Sequence, residues 1–203
     1  TVAAEEELDM HIKPTQVFIL ALCIVGSGAV VAAPRSGSML ANTCAGCHGT
    51  NGHSAGEVMP SLAGMDKRYL YKSMIDFRSD ARPSTIMGRM ARGYSDEEIA
   101  AIAAFFSEQE WEQASGAVNS KLAAEGKLIH EEQCESCHSD GGRASKDEVP
   151  RLAGQWQPYL YIQLRDMHDI DFEGVQPIKM RQRVQKLSQE ELEALSHYYA
   201  SQE

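Results

Sequence analysis

Basic residues are scarce in this 203-residue chain: lysine and arginine total 19 against 29 aspartate and glutamate, a formal charge of −10. A surface of that sign has no electrostatic pull on nucleic acid or anionic lipid, so neither is an expected partner. No stretch alternates polar and apolar residues with the two-residue period of a strand, which argues against any sheet-built architecture. Large apolar side chains are thin as well, with five Phe and two Trp, and no low-complexity tract is present. What remains is a helical chain of ordinary composition, long enough for one large domain or two small ones.

The N-terminus stands apart. Val17 to Ala33 is a nearly unbroken apolar and small-residue run, preceded by Met10, His11 and Lys13 and closing on Val31-Ala32-Ala33. That layout predicts a secretory signal peptide ending near Ala33, and hence export to the periplasm; a retained membrane anchor is the rival reading. The acidic residues 1–9, TVAAEEELD, read as an upstream extension without fold information. Removing 1–33 takes away Lys13 and four acids, leaving 18 basic and 25 acidic residues and a charge of −7. Cys23 leaves too, and Leu22 before it speaks against lipid attachment. No membrane span is expected in the mature chain.

The four cysteines left fall in two groups, Cys44-Ala45-Gly46-Cys47-His48 and Cys134-Glu135-Ser136-Cys137-His138, displaced by 90 residues. The same displacement carries Pro60-Ser61-Leu62-Ala63-Gly64 onto Pro150-Arg151-Leu152-Ala153-Gly154, and Tyr69-Leu70-Tyr71 onto Tyr159-Leu160-Tyr161. Two homologous modules follow each other. Farther on, Tyr94-Ser95-Asp96-Glu97-Glu98-Ile99 matches Leu187-Ser188-Gln189-Glu190-Glu191-Leu192 at a displacement of 93, so the second copy has three extra residues, placed around His168 to Gln176. Ser95 with Glu98 and Ser188 with Glu191 have capping-box spacing. Ile99, Ile102, Ala103 and Phe106 then share one helix face, and Leu192, Leu195 and Tyr199 the equivalent one. A short helix before each cysteine group and a middle helix over about 66–77 and 158–168 complete three per module. The predicted organisation is an all-α pair of domains, 34–110 and 122–203, joined by a linker at 111–121.

Two cysteines separated by two residues and followed at once by histidine can bond both vinyl groups of one haem and present an imidazole to its iron. A disulfide, a zinc site or a thioredoxin-like pair are the alternatives, but two such motifs at equivalent places in a repeat point to two covalently bound haem c groups. Each module has about 75 to 80 residues, a size at which burial alone stabilises marginally, so haem is expected to complete each core.

The iron also needs a ligand opposite histidine, and a soft thioether is the usual choice for electron transfer at raised potential. Displaced by 93, Met87 falls on Met180, whereas Met90 falls on Arg183. Met87 and Met180 are thus the expected pair, in one loop position of each copy, with Met90 the alternative for the first. Met39, Met59, Met65, Met74, Met90 and Met167 have no methionine at the matching place and read as core fillers. Pro60 and Pro150 each follow their histidine by 12 residues, where a carbonyl can orient the imidazole. His53, His130, His168 and His197 lack repeat partners and are expected to be mostly exposed.

The paired modules resemble the diheme class I cytochromes c. Two segments, Ser84-Thr85-Ile86-Met87-Gly88-Arg89-Met90-Ala91-Arg92-Gly93-Tyr94-Ser95 and Leu152-Ala153-Gly154-Gln155-Trp156-Gln157-Pro158-Tyr159-Leu160, are similar to the cytochrome subunits of flavocytochrome c sulfide dehydrogenases. The resemblance runs from about Met39 to the C-terminus. It implies an electron-transfer subunit rather than an enzyme in its own right, with Cys44, Cys47, His48 and Met87 holding the first haem and Cys134, Cys137, His138 and Met180 the second. It further implies a flavoprotein sulfide dehydrogenase subunit that supplies electrons and a soluble cytochrome c that takes them. FAD belongs on that partner, because the only glycine-spaced match here, Gly26-Ser27-Gly28, follows no strand. A free-standing periplasmic diheme carrier serving a terminal oxidase is the alternative. A diheme peroxidase needs an iron with an open position, which methionines at both sites disfavour.

Overall fold

In this computed structural model, residues 35–146, 148–168 and 178–203 are described, and among them the chain is helical, with one isolated bridge between Lys146 and Val149 and no named strand. The signal peptide expected at 1–33 and the loop expected to hold the three extra residues lie outside the described residues. The first half contains α1 (Gly37–Ala41), α2 (Ala45–His48), α3 (Lys67–Arg78), α4 (Met87–Ala91) and α5 (Asp96–Ser107). The second contains α6 (Ser120–Gln133), α7 (Gln157–His168), α8 (Ile178–Val184) and α9 (Gln189–Ala200). Helices α3 and α7 are both 12 residues long and displaced by 90, while α5 and α9 are both 12 and displaced by 93.

Both capping boxes form. The Glu98 N–H donates to Ser95 Oγ while the Ser95 N–H donates to the Glu98 carboxylate at 3.0 Å, and Ser188 with Glu191 repeats this at 2.7 Å. The helices so started bury Ile99, Ile102 and Phe106, and Leu192, Leu195 and Tyr199, on the faces read from periodicity. The entry helices differ more than the repeat suggests. Ser36 caps a five-residue α1 that passes into a 3₁₀ turn at Asn42–Cys44, whereas Asn119 accepts from the Lys121 and Leu122 N–H groups and starts a 14-residue α6.

Each entry helix crosses the closing helix of its half at a glycine. A Cβ on Gly37 would sit 2.7 Å from the Ala101 carbonyl oxygen, and one on Gly126 only 2.1 Å from that of Ala194. Backbone cannot retreat as a flexible side chain does, so Gly126→Ala should destabilise the protein by about 3 kcal/mol. Thermal melts of the holoprotein would read this as a fall of roughly 6 to 12 °C. Gly46→Ala, whose Cβ would meet nothing within 4 Å, should stay within about 0.5 kcal/mol of the parent.

The carbonyl of Gly52 accepts the Leu62 and Ala63 N–H groups, and that of Gly142 accepts those of Leu152 and Ala153. Gly64 N–H donates to the Phe106 carbonyl at 2.9 Å and Gly154 N–H to that of Tyr199 at 2.8 Å, tying the proline segment of each half to its closing helix. Gly52 and Gly142 take φ of +87° and +85°, the left-handed conformation that glycine tolerates without strain.

Arg35–Glu203 is one compact unit, and a buried polar seam joins its halves. Gln155, 1% exposed, accepts the Ser61 N–H at 3.0 Å and donates to the Ser61 carbonyl at 3.1 Å, pairing like a strand neighbour with one residue of the first half. Trp156 Nε1–H donates to the Ser54 carbonyl at 3.0 Å, and the Tyr159 N–H to that of Glu57 at 3.1 Å. Arg82 donates to Gln163 at 2.8 Å, hydrogen-bonds both Tyr69 and Tyr159, and lies over the Phe77 ring at 4.6 Å.

Candidate haem sites

In α2 and the 3₁₀ turn before it, spacings of three and four residues place Cys44, Cys47 and His48 along one side of a helical turn. Both halves present the motif alike: the first cysteine is half-buried, the second exposed, and His48 and His138 are each 7% exposed. Cys44, Cys47, Cys134 and Cys137 are all unpaired. No three His, Cys, Asp or Glu side chains converge among the described residues, which leaves zinc without a ligand set.

The His48 ring is oriented as the proline spacing suggested. Its Nδ1 lies 2.9 Å from the Pro60 carbonyl oxygen. A carbonyl only accepts, so Nδ1 carries the proton and Nε2 keeps its lone pair for a metal. Burial holds the ring's pKa below the ordinary histidine value, opposed by that same carbonyl, so the ring is neutral as a ligand must be. His138 is pushed down further, to about 4, by burial first and then by His130, with the Pro150 carbonyl opposing. Hydrogen-bond geometry to Pro150 is not met, however, and His138 Nδ1 has no partner. The carbonyl device expected in both halves is therefore complete only in the first.

Cys44, Cys47 and His48 line a cavity of about 610 Å³ with Leu70, Phe106, Met87 and Met90. Met87 opens α4, and Met180 lies inside α8 and packs with Cys134 against the second core cluster. These are short helices, not the loops expected: Ser84 Oγ accepts the Gly88 N–H at 2.7 Å and starts the turn, but five to seven residues are too few to show a helical period in sequence. Met90 also lines the cavity, 42% exposed at its rim.

The unassigned residues bring corrections. Met65 is core, as read, but Met39 is 56% exposed and Met90 is on the rim, so neither fills a core. None of the four unpaired histidines is fully exposed; His53, His168 and His197 are half-buried, and His130 is 1% exposed. The displacement that puts His130 opposite Leu40, a core residue, was the signal for its burial.

The cavity suits a covalently held haem. Two thiols and an imidazole with a free lone pair stand on one wall, a thioether lines the site, and the surround is apolar. Arg82 also lines it, hydrogen-bonded by tyrosines from both halves, and would offer a cation to the carboxylates of a haem.

Comparison with known proteins agrees. Residues 35–109 match the family model described as cytochrome c, and residues 121–198 the one described as cytochrome C oxidase, cbb3-type, subunit III. The chain is 30% identical over 209 residues to cytochrome c4 of Azotobacter vinelandii, covering 92% of this chain and 97% of that protein. It is 49% identical over 70 residues to the cytochrome subunit of sulfide dehydrogenase of Chlorobaculum tepidum, which is 34% of this chain and 63% of that one. The crystal structure of reduced recombinant cytochrome c4 from Pseudomonas stutzeri matches with a TM-score of 0.74 at 30% identity, covering 84% of this chain and 100% of that one. Two all-α cytochrome c domains in tandem thus carry two covalently bound haem c groups.

Proposed function

The chain belongs to the diheme class I cytochrome c family, and on that premise we propose that it is the electron-accepting cytochrome subunit of a periplasmic flavoprotein sulfide dehydrogenase. The observation that supports this reading is local: 49% identity with a sulfide dehydrogenase cytochrome subunit over 70 residues, 34% of this chain. The flavoprotein partner oxidises sulfide, and a soluble cytochrome c takes the electrons onward. Each haem supplies a one-electron iron couple when bound. The protein's part is to hold it: Cys44 and Cys47 tether the first and Cys134 and Cys137 the second, by thioethers. His48 and His138 would offer Nε2 to the iron, and Met87 and Met180 a thioether. The apolar lining would keep water from the iron, and a thioether ligand would raise its potential into the range of an electron carrier.

A second reading is favoured by coverage. The cytochrome c4 relative is matched over 97% of its length, which fits a free-standing periplasmic diheme carrier that serves a terminal oxidase. Affinity purification of the tagged chain from its native periplasm separates the two. On the first reading a flavin-containing protein co-elutes, and sulfide added to the eluate reduces the haems. Elution of the chain alone, with haems that sulfide leaves oxidised, would overturn it in favour of the carrier.

A further inference from the structure

The second half contains a connected polar path that the first half lacks. His130 on α6 lies with its Nδ1 2.9 Å from the Tyr199 hydroxyl of α9, and its Nε2 hydrogen-bonds the Glu135 carboxylate. The other Glu135 oxygen accepts the Asp140 N–H at 3.0 Å. Glu135 directly follows Cys134 in the chain, so the path ends beside a haem-attachment residue.

The protons can be placed. Burial pushes the Tyr199 phenol well above its ordinary range, so it remains a donor. The His130 hydrogen bond holds the Glu135 carboxyl below the usual carboxylate range, so it remains an ionised acceptor. The phenol O–H therefore donates to Nδ1 and the Nε2–H donates to Glu135, fixing one tautomer of His130. Tyr198 stacks on the same imidazole with ring centroids 5.0 Å apart.

Displaced by 90, His130 and Glu135 fall on Leu40 and Ala45; displaced by 93, Tyr199 falls on Phe106. Leu40 and Phe106 are 2% exposed and have no polar side-chain atom. Burying a polar path costs desolvation that Leu and Phe avoid, so packing alone does not account for it.

We propose that Glu135, held by the His130 imidazole and the Asp140 N–H next to the attachment residue Cys134, is a positioning device that keeps negative charge beside the second haem and lowers its reduction potential. A fixed anion stabilises the oxidised, more positive state of a redox centre. The first half has Leu40, Ala45 and Phe106 at the equivalent positions, so the device acts on the second haem alone.

The test is a spectroelectrochemical titration of the full diheme protein, with the two haems told apart by their NMR-resolved ring methyls. Glu135→Gln should favour reduction of the second haem by about tenfold, ~59 mV for a one-electron couple, and leave the first unchanged. Glu135→Asp should restore most of the parent value, which a merely structural role does not require. If Glu135→Gln does not fold, the triple change H130L, E135A and Y199F installs the first half's residues and should give the same shift. An unchanged second potential in the variant that folds, or equal shifts of both haems, would overturn the proposal.

Discussion

A chain in which Cys44, Cys47, Cys134 and Cys137 are all replaced by serine should show no cooperative thermal transition. The reason lies in where the cavity is. Met65, Leu70, Ile102, Ala103 and Phe106 make up most of the first half's core cluster, and every one of them also lines the 610 Å³ cavity. Without haem these side chains face a void or water instead of one another. At about 24 cal/mol per Å³ of unfilled cavity the loss is on the order of 15 kcal/mol as an upper figure. A third of that would match the lower end of a small domain's total stability, about 5 kcal/mol. Far-ultraviolet circular dichroism against temperature checks this: a shallow, non-sigmoidal loss of signal is expected. A sharp melt close to that of the haem-loaded protein would show that the polypeptide alone makes the core.

Met87→His should abolish the near-infrared sulfur-to-iron absorption of one haem and leave that of the other. It should also lower one midpoint potential by roughly a tenth of a volt or more, within the ~0.8 V over which axial ligands tune such iron. Met180→His should do the same to the other haem, and the double change should remove the band altogether. The imidazole replaces a soft thioether that favours the reduced iron with a harder nitrogen that favours it less. Should the band keep its full strength in Met87→His and vanish in Met90→Leu, the rim methionine is the ligand, and Met87 is only part of the wall.

What could be read without coordinates was whatever the chain encodes within a few residues. The tether and histidine of each haem are adjacent by chemical necessity, so Cys44 to His48 and Cys134 to His138 were legible at once. The capping boxes at Ser95 and Ser188 depend on a three-residue spacing and formed as read. Contacts across the duplication were not legible. Gln155 meets Ser61 from 94 residues away, and Arg82 meets Gln163 from 81, with no local pattern to announce either. Helices α4 and α8 were too short to show a period. His130 has no histidine at its matching position, and only its alignment with buried Leu40 points inward. The Pro150 carbonyl matched in register but not in geometry, because equal spacing fixes how far apart two groups are in sequence and not how a ring is turned.

The seam in which Gln155 clasps Ser61 and Trp156 reaches Ser54 has a kinetic meaning. It fixes the two halves against each other, so the distance between haems held in them would not vary as it would across a free linker. Electrons passing between two haems so held would move within one molecule, at a rate that does not fall on dilution.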